Sequence, residues 1–416
     1  MASTTAVVNI GQLVTMAGPA RPRVGRELAE LGIVTDGALL IEDGRIVAVG
    51  SYQDVLPAIP RFARMIDAGG RTVTPGFVDA HTHLVFAGNR ADEFEMRVAG
   101  STYQEIAAAG GGILRTVQRT RAAGEDQLFA EARRHCNWMM RAGTTTIEAK
   151  SGYGLDHDTE LRMLRVIGRL NDEGFATFVP TLLAAHTVPP EFKERRTEYV
   201  RWVAESLIPE VAKARLAVFC DAFCDEHAFT VDETRTVLAA AGRHGMQLRL
   251  HCEQFQAGTG ADLAAELHAR TADHLEAVTR DSLVKLRAVG VQPVLLPGSV
   301  FALGRTQYPP ARMMVELGLA IVLATDFNPG SSPIVSMPFV LSLACLQMGL
   351  SPAEALTAAT INAAWSLNLG RRVGSLEAGK QADFLVHEFH DYRELVYFIA
   401  SPARPRVFTA GVEAVH

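Results

Sequence analysis

The pattern of apolar and polar positions differs between the two ends of the chain and its middle. Residues 1–72 show strand-like alternation and a hairpin signal at Asp43-Gly44, where two alternating segments meet. Near the other end, residues 382–386 again have the composition of a short strand. We therefore expect residues 1–72 and 371–416 to join in one small β-sandwich domain.

The central segment, residues 73–370, alternates strand-sized apolar runs with helical patterns, which indicates repeated βα units. Eight such units predict an α/β fold with a (β/α)8 TIM barrel. Most of the predicted strands end at His or Asp, and in such barrels the C-terminal strand ends form one rim where catalysis takes place. The predicted strands end near His83, Lys150, His186, Asp225, His251, His274, Pro297 and Asp326.

The composition of the chain argues against several classes of function. The chain has 416 residues, 48% hydrophobic and 21% charged, with a net charge of −6 and no long basic run, so nucleic acid is not an expected partner. Two long uncharged stretches, residues 289–304 and 327–353, contain prolines and are expected to be core segments, so no membrane span is predicted. Five thinly spread cysteines and a first segment without a visible targeting signal predict a cytoplasmic location.

The most informative chemical feature is the pair His81 and His83. Because successive side chains of a strand point to opposite faces, both imidazoles are expected on the same side of the first barrel strand. His251, His274 and Asp326 end later strands, so all five side chains are expected at the same rim. Three imidazoles and one carboxylate suit zinc or ferrous iron, which ligand type alone does not distinguish.

These positions resemble the pattern of the amidohydrolase superfamily, which has His-X-His on strand one, His on strands five and six, and Asp on strand eight. Within it, the sequence is similar to the imidazolonepropionase family of cyclic amidohydrolases over essentially the whole chain. The motifs that carry this similarity are HLVFAGNR at residues 83–90, EAKSGYG at residues 148–154, AHT at residues 185–187 and TDFNPGS at residues 325–331. The resemblance implies hydrolysis of 4-imidazolone-5-propanoate to N-formimidoyl-L-glutamate in L-histidine degradation.

The resemblance also implies roles for individual residues. One divalent metal per chain, Zn²⁺ or Fe, is expected on His81, His83, His251 and Asp326. His274 is expected beside the reacting carbonyl as a catalytic residue, and Asp326 as the acceptor of a proton from the attacking water. The implied substrate-binding residues are Arg90, Tyr153, His186, Gln254, Asn328, Gly330 and Ser331. A small-molecule substrate and a homodimer are the partners that the family suggests.

The proton shuttle stays open at this stage among His274, Asp326 and the neighbourhood of Gln254. Glu253 is the nearest carboxylate in sequence to Gln254, but strand alternation directs it away from the face of Gln254. Lys150 ends the second strand, and some superfamily relatives use a carbamylated lysine on strand four to bridge two metals. We therefore expect a structural ion pair for Lys150, and a single metal.

Two other functions remain as alternatives. An aminohydrolase that deaminates a heterocycle such as guanine would keep the metal chemistry and change the substrate. A non-catalytic barrel used for assembly would usually lack metal ligands, and none of the expected ligand positions is missing here. Arg90 separates the first alternative from the main hypothesis, because a purine has no carboxylate for a guanidinium to bind.

Overall fold

The computed structural model describes residues 4–100, 105, 110–226 and 228–414. In this part of the chain the strands are β1 (Thr4–Val14), β2 (Ile33–Glu42), β3 (Arg45–Ser51), β4 (Arg64–Asp67), β5 (Thr72–Pro75), β6 (Phe77–Asp79), β7 (Thr144–Lys150), β8 (Thr177–Ala185), β9 (Phe219–Cys224), β10 (Gln247–Cys252), β11 (Thr271–His274), β12 (Gln292–Leu295), β13 (Val322–Leu323), β14 (Phe384–Val386), β15 (Arg406–Thr409) and β16 (Val412–Glu413).

The helices lie mostly between the strands from β6 onward. The α-helices span Tyr52–Val55, Ala91–Val98, Ile113–Ala122, Glu125–Arg141, His157–Asp172, Arg196–Trp202, Ile208–Ala214, Val231–Arg243, Gly260–Glu266, Arg280–Val289, Pro297–Ala302, Ala311–Glu316, Met337–Met348, Pro352–Ala358, Ile361–Ser366 and Glu394–Tyr397. Short 3-10 helices span Gly25–Ala29, Leu56–Ala58 and Pro190–Phe192, and a π-helical turn spans Val203–Leu207. Each helix in the described residues is too short or too polar to cross a bilayer.

The chain ends form one sheet with the order β16-β15-β14-β5-β1-β2-β3, and β4 pairs with β1. The β2–β3 hairpin turns at Asp43 and Gly44, whose φ angles are +46° and +76°. This is the geometry that an Asp-Gly two-residue loop favours, because both central residues need positive φ. Apolar side chains from both chain ends share one core, in which the rings of Phe384 and Phe408 stack.

The remaining strands, β6 to β13, lie in parallel with each strand beside the next in sequence. The sheet closes beyond the ends of β6 and β13, where Thr82 and Phe327 form a parallel bridge. The Asp326 amide donates to the His81 carbonyl (3.1 Å), and the His83 amide donates to the Phe327 carbonyl (2.8 Å). The predicted fold class, a (β/α)8 barrel with a small sandwich-like β domain from both chain ends, is confirmed.

Local sequence explains why these elements form. Every residue of β7 is buried, as expected for a parallel strand covered on both faces. The helix His157–Asp172 begins where the Asp156 carboxylate accepts a hydrogen bond from the Thr159 amide at 2.8 Å. The helix Pro352–Ala358 begins with a capping box between Ser351 and Glu354, with proline in its first turn.

The sheet of the chain ends runs past residue 72, since β5 continues to Pro75 before β6 begins at Phe77. The predicted domain limits, residues 1–72 with 371–416 and residues 73–370, stay predictions.

Candidate metal centre and active site

Four side chains from strand ends that are distant in sequence converge at the C-terminal rim of the barrel. The Nε2 atoms of His81 and His83 each lie 3.5 Å from Asp326 Oδ1, and His83 Nε2 lies 3.5 Å from His251 Nε2. All four residues are at most 3% exposed. Atoms that each bind one ion at about 2 Å in a tetrahedral site lie about 3.3 Å from one another. The spacing therefore suits a shared metal ion.

Unsatisfied polar atoms also point to a ligand at this position. His81 Nε2 and Asp326 Oδ2 are buried and form no hydrogen bond with any described residue, which is costly unless something else binds them. Two overlapping groups have ligand atoms within 4.8 Å of one another: His81, His83 and Asp326, and His81, His251 and His274. The residues present therefore fit a metal ion.

Two buried aspartates orient the histidines of this centre. His81 Nδ1 donates to Asp273 Oδ2 at 2.6 Å, and His251 Nδ1 donates to Asp221 Oδ1 at 3.0 Å. Because a carboxylate only accepts hydrogen bonds, the proton lies on Nδ1 in both rings, and the Nε2 lone pair faces the centre. Asp221 and Asp273 are not among the site residues predicted from sequence, although a charged residue within an apolar strand is a signal that could have indicated them.

A network of buried charges lies beneath these aspartates. Lys150 Nζ contacts Glu148 Oε1 at 2.8 Å and Asp221 Oδ2 at 2.9 Å, and Arg249 Nη2 contacts Asp273 Oδ2 at 3.0 Å. All five side chains are fully buried. The structure thus places Lys150 in the ion pair that we expected. The network fixes both aspartates, because each faces a cation at hydrogen-bond distance. Burial raises the pKa of Asp221, but the charges of His251 and Lys150 outweigh burial and hold it well below its usual value.

Burial keeps the histidines of the centre neutral. It lowers the pKa of His83 to about 3, with help from the positive charge of Lys150. It also lowers the pKa of His251 to about 4, although the Asp221 carboxylate opposes this shift. The pKa of His81 lies well below its usual value for the same first reason, burial. Neutral imidazoles are the form that binds metal ions.

His274 lies in a different electrostatic environment, which depends on Glu276. His274 Nδ1 lies 3.4 Å from Glu276 Oε1, and both side chains are buried. Burial lowers the pKa of His274, but the carboxylates of Glu276 and Asp326 outweigh burial and raise it overall. Burial raises the pKa of Asp326. His274 can therefore donate a proton, and Asp326 can accept one. Glu276 is not among the site residues predicted from sequence.

Tyr153 and His186 lie beside the metal-site histidines. The ring of His186 stacks on His83 with centroids 5.0 Å apart, and Tyr153 lies 5.3 Å from His186. His186 Nδ1 donates to the Gly152 carbonyl at 2.9 Å, so its Nε2 is an acceptor in the neutral ring. Burial lowers the pKa of His186 to about 3, which keeps the ring neutral. His186 can thus accept a hydrogen bond from an N–H group of a ligand.

Arg90 lies on the same side of the site. Its positive charge opposes the effect of burial on the Tyr153 phenol, whose pKa burial raises above its usual value. The Arg90 guanidinium contacts the Glu93 carboxylate at 2.7 Å. On its other side it touches Gly330, where a Cβ would overlap Arg90 Nη1.

The other predicted substrate-binding residues lie in two loops. The Asn328 side chain accepts from the amides of Gly330 (2.8 Å) and Ser331 (2.7 Å), and its own NH2 donates to the Asp326 carbonyl (2.7 Å). Asn328 therefore shapes the loop that follows Asp326. In the second loop Gln254 is buried, and its Nε2 donates to Ser299 Oγ at 3.3 Å.

Glu253 turns away from this site. Its carboxylate accepts a hydrogen bond from the Ala261 amide at 3.0 Å, at the start of the helix Gly260–Glu266.

A cavity of about 690 Å³ elsewhere in the molecule is lined by Phe77 and Ala142, which precede or begin barrel strands. It therefore lies at the opposite end of the barrel from the histidine cluster.

The family models and the relatives that match by sequence agree on one family. The family model described as "Amidohydrolase family" matches residues 72–412, and one described as "Imidazolonepropionase-like composite domain, bacteria" matches residues 37–58. The chain is 54% identical to the imidazolonepropionase of Solibacter usitatus, over 98% of each protein. It is 45% identical to the imidazolonepropionase of Geobacillus kaustophilus, over 97% of this chain and 96% of that protein.

Among solved structures, 5-methylcytosine deaminase from Klebsiella pneumoniae liganded with 5-fluorocytosine is similar with a TM-score of 0.73. The similarity covers 99% of this chain and 97% of the other at 17% identity. At this level of identity, it supports the fold alone.

Proposed function

The chain belongs to the amidohydrolase family and, over 98% of its length, to the imidazolonepropionases within it, and we propose that its rim site opens the ring amide of 4-imidazolone-5-propanoate. In this hydrolysis, water adds to the ring carbonyl, the ring C–N bond breaks, and the released nitrogen takes up a proton to give N-formimidoyl-L-glutamate. The observation that carries the proposal is the joint presence of a metal-binding cluster and a guanidinium, Arg90, at the same rim.

The proposed metal ligands are His81, His83, His251 and Asp326, with zinc or ferrous iron as the ion, one per chain. Such an ion, when bound, supplies Lewis-acid activation of a water molecule near neutral pH. Elemental analysis of the protein as isolated should give about one transition metal ion per chain. Less than one ion per several chains would contradict this assignment and would favour the non-catalytic alternative.

The remaining residues supply proton transfer and orientation in this proposal. Asp326 accepts the proton of the attacking water, since burial raises its pKa and makes it a better base. His274 donates a hydrogen bond or a proton to the carbonyl oxygen, because the Glu276 carboxylate favours its protonated form. His186 Nε2 accepts a hydrogen bond from an N–H group of the ring. Tyr153, Gln254 and the loop of Asn328, Gly330 and Ser331 enclose the ring and its side chain.

The test is an assay with freshly generated imidazolonepropanoate. The metal-loaded protein should consume it and release formimidoylglutamate, which can be measured by the loss of the substrate's ultraviolet absorbance and by chromatography of the product. No turnover by protein that carries metal would reject the proposal.

Arg90→Met separates this activity from that of a heterocycle deaminase. The propanoate loses two parallel charge-assisted hydrogen bonds, so kcat/KM for imidazolonepropanoate should fall by roughly 10²-fold or more. Guanine turnover is measured for the same variant and for wild-type protein. If wild-type protein turns over guanine and Arg90→Met does so at the same rate, the deaminase is favoured.

We also propose that two copies of the chain associate. The helices Met337–Met348 and Glu394–Tyr397 pack together, and large apolar side chains on or directly after them are exposed: Leu346 is 65% exposed, Tyr397 75% and Phe398 55%. Exposed apolar groups of this kind mark protein interfaces. Light scattering after gel filtration should give twice the 45.0 kDa chain mass, and Tyr397→Glu should shift this value to one chain mass.

A cytoplasmic location belongs to the same proposal. All five cysteines are free thiols, and four of them are buried. Free thiols are typical of proteins in reducing compartments.

A further inference from the structure

A buried carboxylate, Glu93, holds the guanidinium that we assign to substrate binding. Glu93 is 3% exposed and lies in the first turn of the helix Ala91–Val98. Arg90 Nε and Arg90 Nη2 both lie 2.7 Å from the same oxygen, Glu93 Oε2. We propose that Glu93 is a positioning residue that orients Arg90 toward the carboxylate of the substrate, an inference that rests on the proposed function.

The donor inventory of the guanidinium explains why this contact orients it. Arginine has five N–H groups in one plane and no acceptor. Glu93 occupies the edge formed by Nε and one N–H of Nη2. The other N–H of Nη2 and both N–H groups of Nη1 remain. The remaining N–H of Nη2 and one N–H of Nη1 form the outer end of the fork, which can donate two parallel hydrogen bonds to a second carboxylate.

Glu93 itself is fixed from the opposite side. Its other oxygen, Oε1, accepts a hydrogen bond from the Gly112 amide at 3.1 Å and lies 3.8 Å from Arg115 Nη1. The carboxylate therefore bridges Arg90 to the segment that begins the helix Ile113–Ala122. A side chain held at both oxygens has little freedom to rotate, and this rigidity passes to Arg90.

Gly330 bounds the guanidinium on its other side. A Cβ at this position would overlap Arg90 Nη1, and the Gly330 amide is itself fixed by a hydrogen bond to Asn328 Oδ1 at 2.8 Å. The loop after the ligand Asp326 thus meets the outer end of the guanidinium. Arg90 lies between Glu93 and this loop, so the direction of its free N–H groups is set by both.

The chemical consequence is selectivity for a substrate that carries a carboxylate at one end and the reacting ring at the other. Without Glu93, Arg90 would keep its charge but lose its fixed direction. Binding of the carboxylate would weaken, whereas the reacting groups at His274 and Asp326 would stay in place. A change at the non-reacting end that leaves the chemical step intact raises KM more than it lowers kcat.

The test uses Glu93→Gln, which keeps the shape of the side chain and an acceptor for Gly112, and turns an NH2 group toward Arg90. We expect KM for imidazolonepropanoate to rise about 10-fold or more, with kcat changed less than about 3-fold. Asp92→Asn is the matched control: Asp92 is the neighbouring acid of the same helix and pairs with Arg115 at 2.5 Å. This control should change neither constant.

Two binding probes make the result independent of turnover. Calorimetry with 3-(imidazol-4-yl)propanoate and with its uncharged propanamide should show weaker binding of the propanoate alone in Glu93→Gln. In an Arg90→Met background, Glu93→Gln should have no further effect on propanoate binding, because its action passes through Arg90.

Several results would overturn the inference. The first is an equal loss of binding affinity for the propanoate and the propanamide in Glu93→Gln. The second is a further loss of propanoate affinity when Glu93→Gln is added to Arg90→Met. The others are an unchanged Kd for the propanoate in Glu93→Gln, and wild-type protein that does not bind the propanoate. Unfolding temperature and metal content of each variant, compared with those of Asp92→Asn, show whether a change in binding has a general structural cause. If wild-type protein binds the propanoate but does not hydrolyse imidazolonepropanoate, the proposed function fails while the probes still decide the role of Glu93.

Discussion

His251 and His274 end neighbouring barrel strands, yet their Nδ1 atoms have different partners. His251 faces Asp221, which Lys150 also contacts, and burial keeps the His251 ring neutral. His274 faces Glu276; burial lowers the pKa of His274, but the carboxylates of Glu276 and Asp326 outweigh burial and raise it overall. In the mechanism that we propose, the same residue type therefore serves two purposes, a neutral ligand and a proton donor, because of the charges behind each ring.

This difference leads to a prediction for two alanine variants. His251→Ala should lose both metal and activity, because a ligand is removed. His274→Ala should keep its metal and lose turnover by roughly 10²-fold or more, the size expected for a positioned proton donor or oxyanion-stabilising group. Metal content by elemental analysis and kcat on the same preparations are the two measurements. Equal metal loss in both variants would place His274 among the ligands, where its distance from His81 and His251 would allow it to bind.

At the scale of elements, the closure of the barrel brings the proposed metal ligands together. β6 and β13 are the first and last barrel strands, and the hydrogen bonds that join their extensions involve the backbone of His81, His83 and Asp326. Asp79 adds a second link, since its carboxylate accepts from both the amide and the hydroxyl of Thr325. Residues that are more than 240 positions apart in the chain are thus fixed as neighbours.

Backbone strain accumulates at the same strand ends. Asp326 has a φ angle of +54°, and the consecutive residues His274 and Leu275 have φ angles of +80° and +67°. Non-glycine residues rarely adopt these values, which cost of order 1–3 kcal/mol each and cluster at functional sites. The packing of the barrel stabilises these conformations, which direct His274 and Asp326 toward the common centre.

The order of elements could be predicted from sequence, and the contacts across strands could not. Alternation placed His81 and His83 on one face, and apolar runs located the barrel strands. The roles of Asp273 and Glu276 depend on cross-strand register and on the turn after β11, which no local pattern encodes. In β10 and β11, for example, His251 pairs with Asp273, whereas the imidazole that Asp273 orients belongs to His81.

Gly143 allows a prediction about the junction between the barrel and the small sheet. Its φ angle is +98°, and a Cβ here would lie 2.8 Å from Leu385 Cδ1 of β14 and 2.9 Å from Phe77 Cε2 of β6. Gly143→Ala should therefore lower the free energy of unfolding by about 1–3 kcal/mol. Denaturant unfolding measures this loss. kcat of the folded protein should stay unchanged, because the junction lies at the opposite end of the barrel from the proposed metal site.

At the scale of the whole molecule, the chain buries many ionisable groups, and most of them belong to the site. The fully buried set of Glu148, Lys150, Asp221, Arg249 and Asp273 would be costly in an ordinary core. Here the network orients the histidines, so the desolvation penalty of its buried charges is offset by a role in the site. Sequence composition does not reveal this, since a chain with 21% charged residues is ordinary; only the position of charges inside apolar strands does.

His387 is a buried histidine outside the site, and it allows a prediction of how stability depends on pH. It lies next to β14, its Nε2 is 2.8 Å from Thr74 Oγ1, and its ring stacks on Phe389. Burial lowers the pKa of His387 from 6.5 to about 3 in the folded protein. Between pH 6.5 and pH 3 the unfolded chain therefore binds a proton that the folded chain excludes. The contribution of His387 to the free energy of unfolding is therefore largest above pH 6.5, and it falls as the pH decreases from 6.5 to 3.

His387→Gln should remove this contribution. The free energy of unfolding of wild-type protein should fall more steeply between pH 6.5 and pH 4.5 than that of the variant, by up to about 1.4 kcal/mol per pH unit. Urea unfolding at several pH values gives both slopes, and any constant loss from the missing ring contacts shifts the curve of the variant without changing its slope. His390→Gln, at an exposed histidine nearby, is the matched control. Identical slopes for wild type and His387→Gln would mean that His387 is protonated in the folded protein, and that its environment is not the dry one that its burial implies.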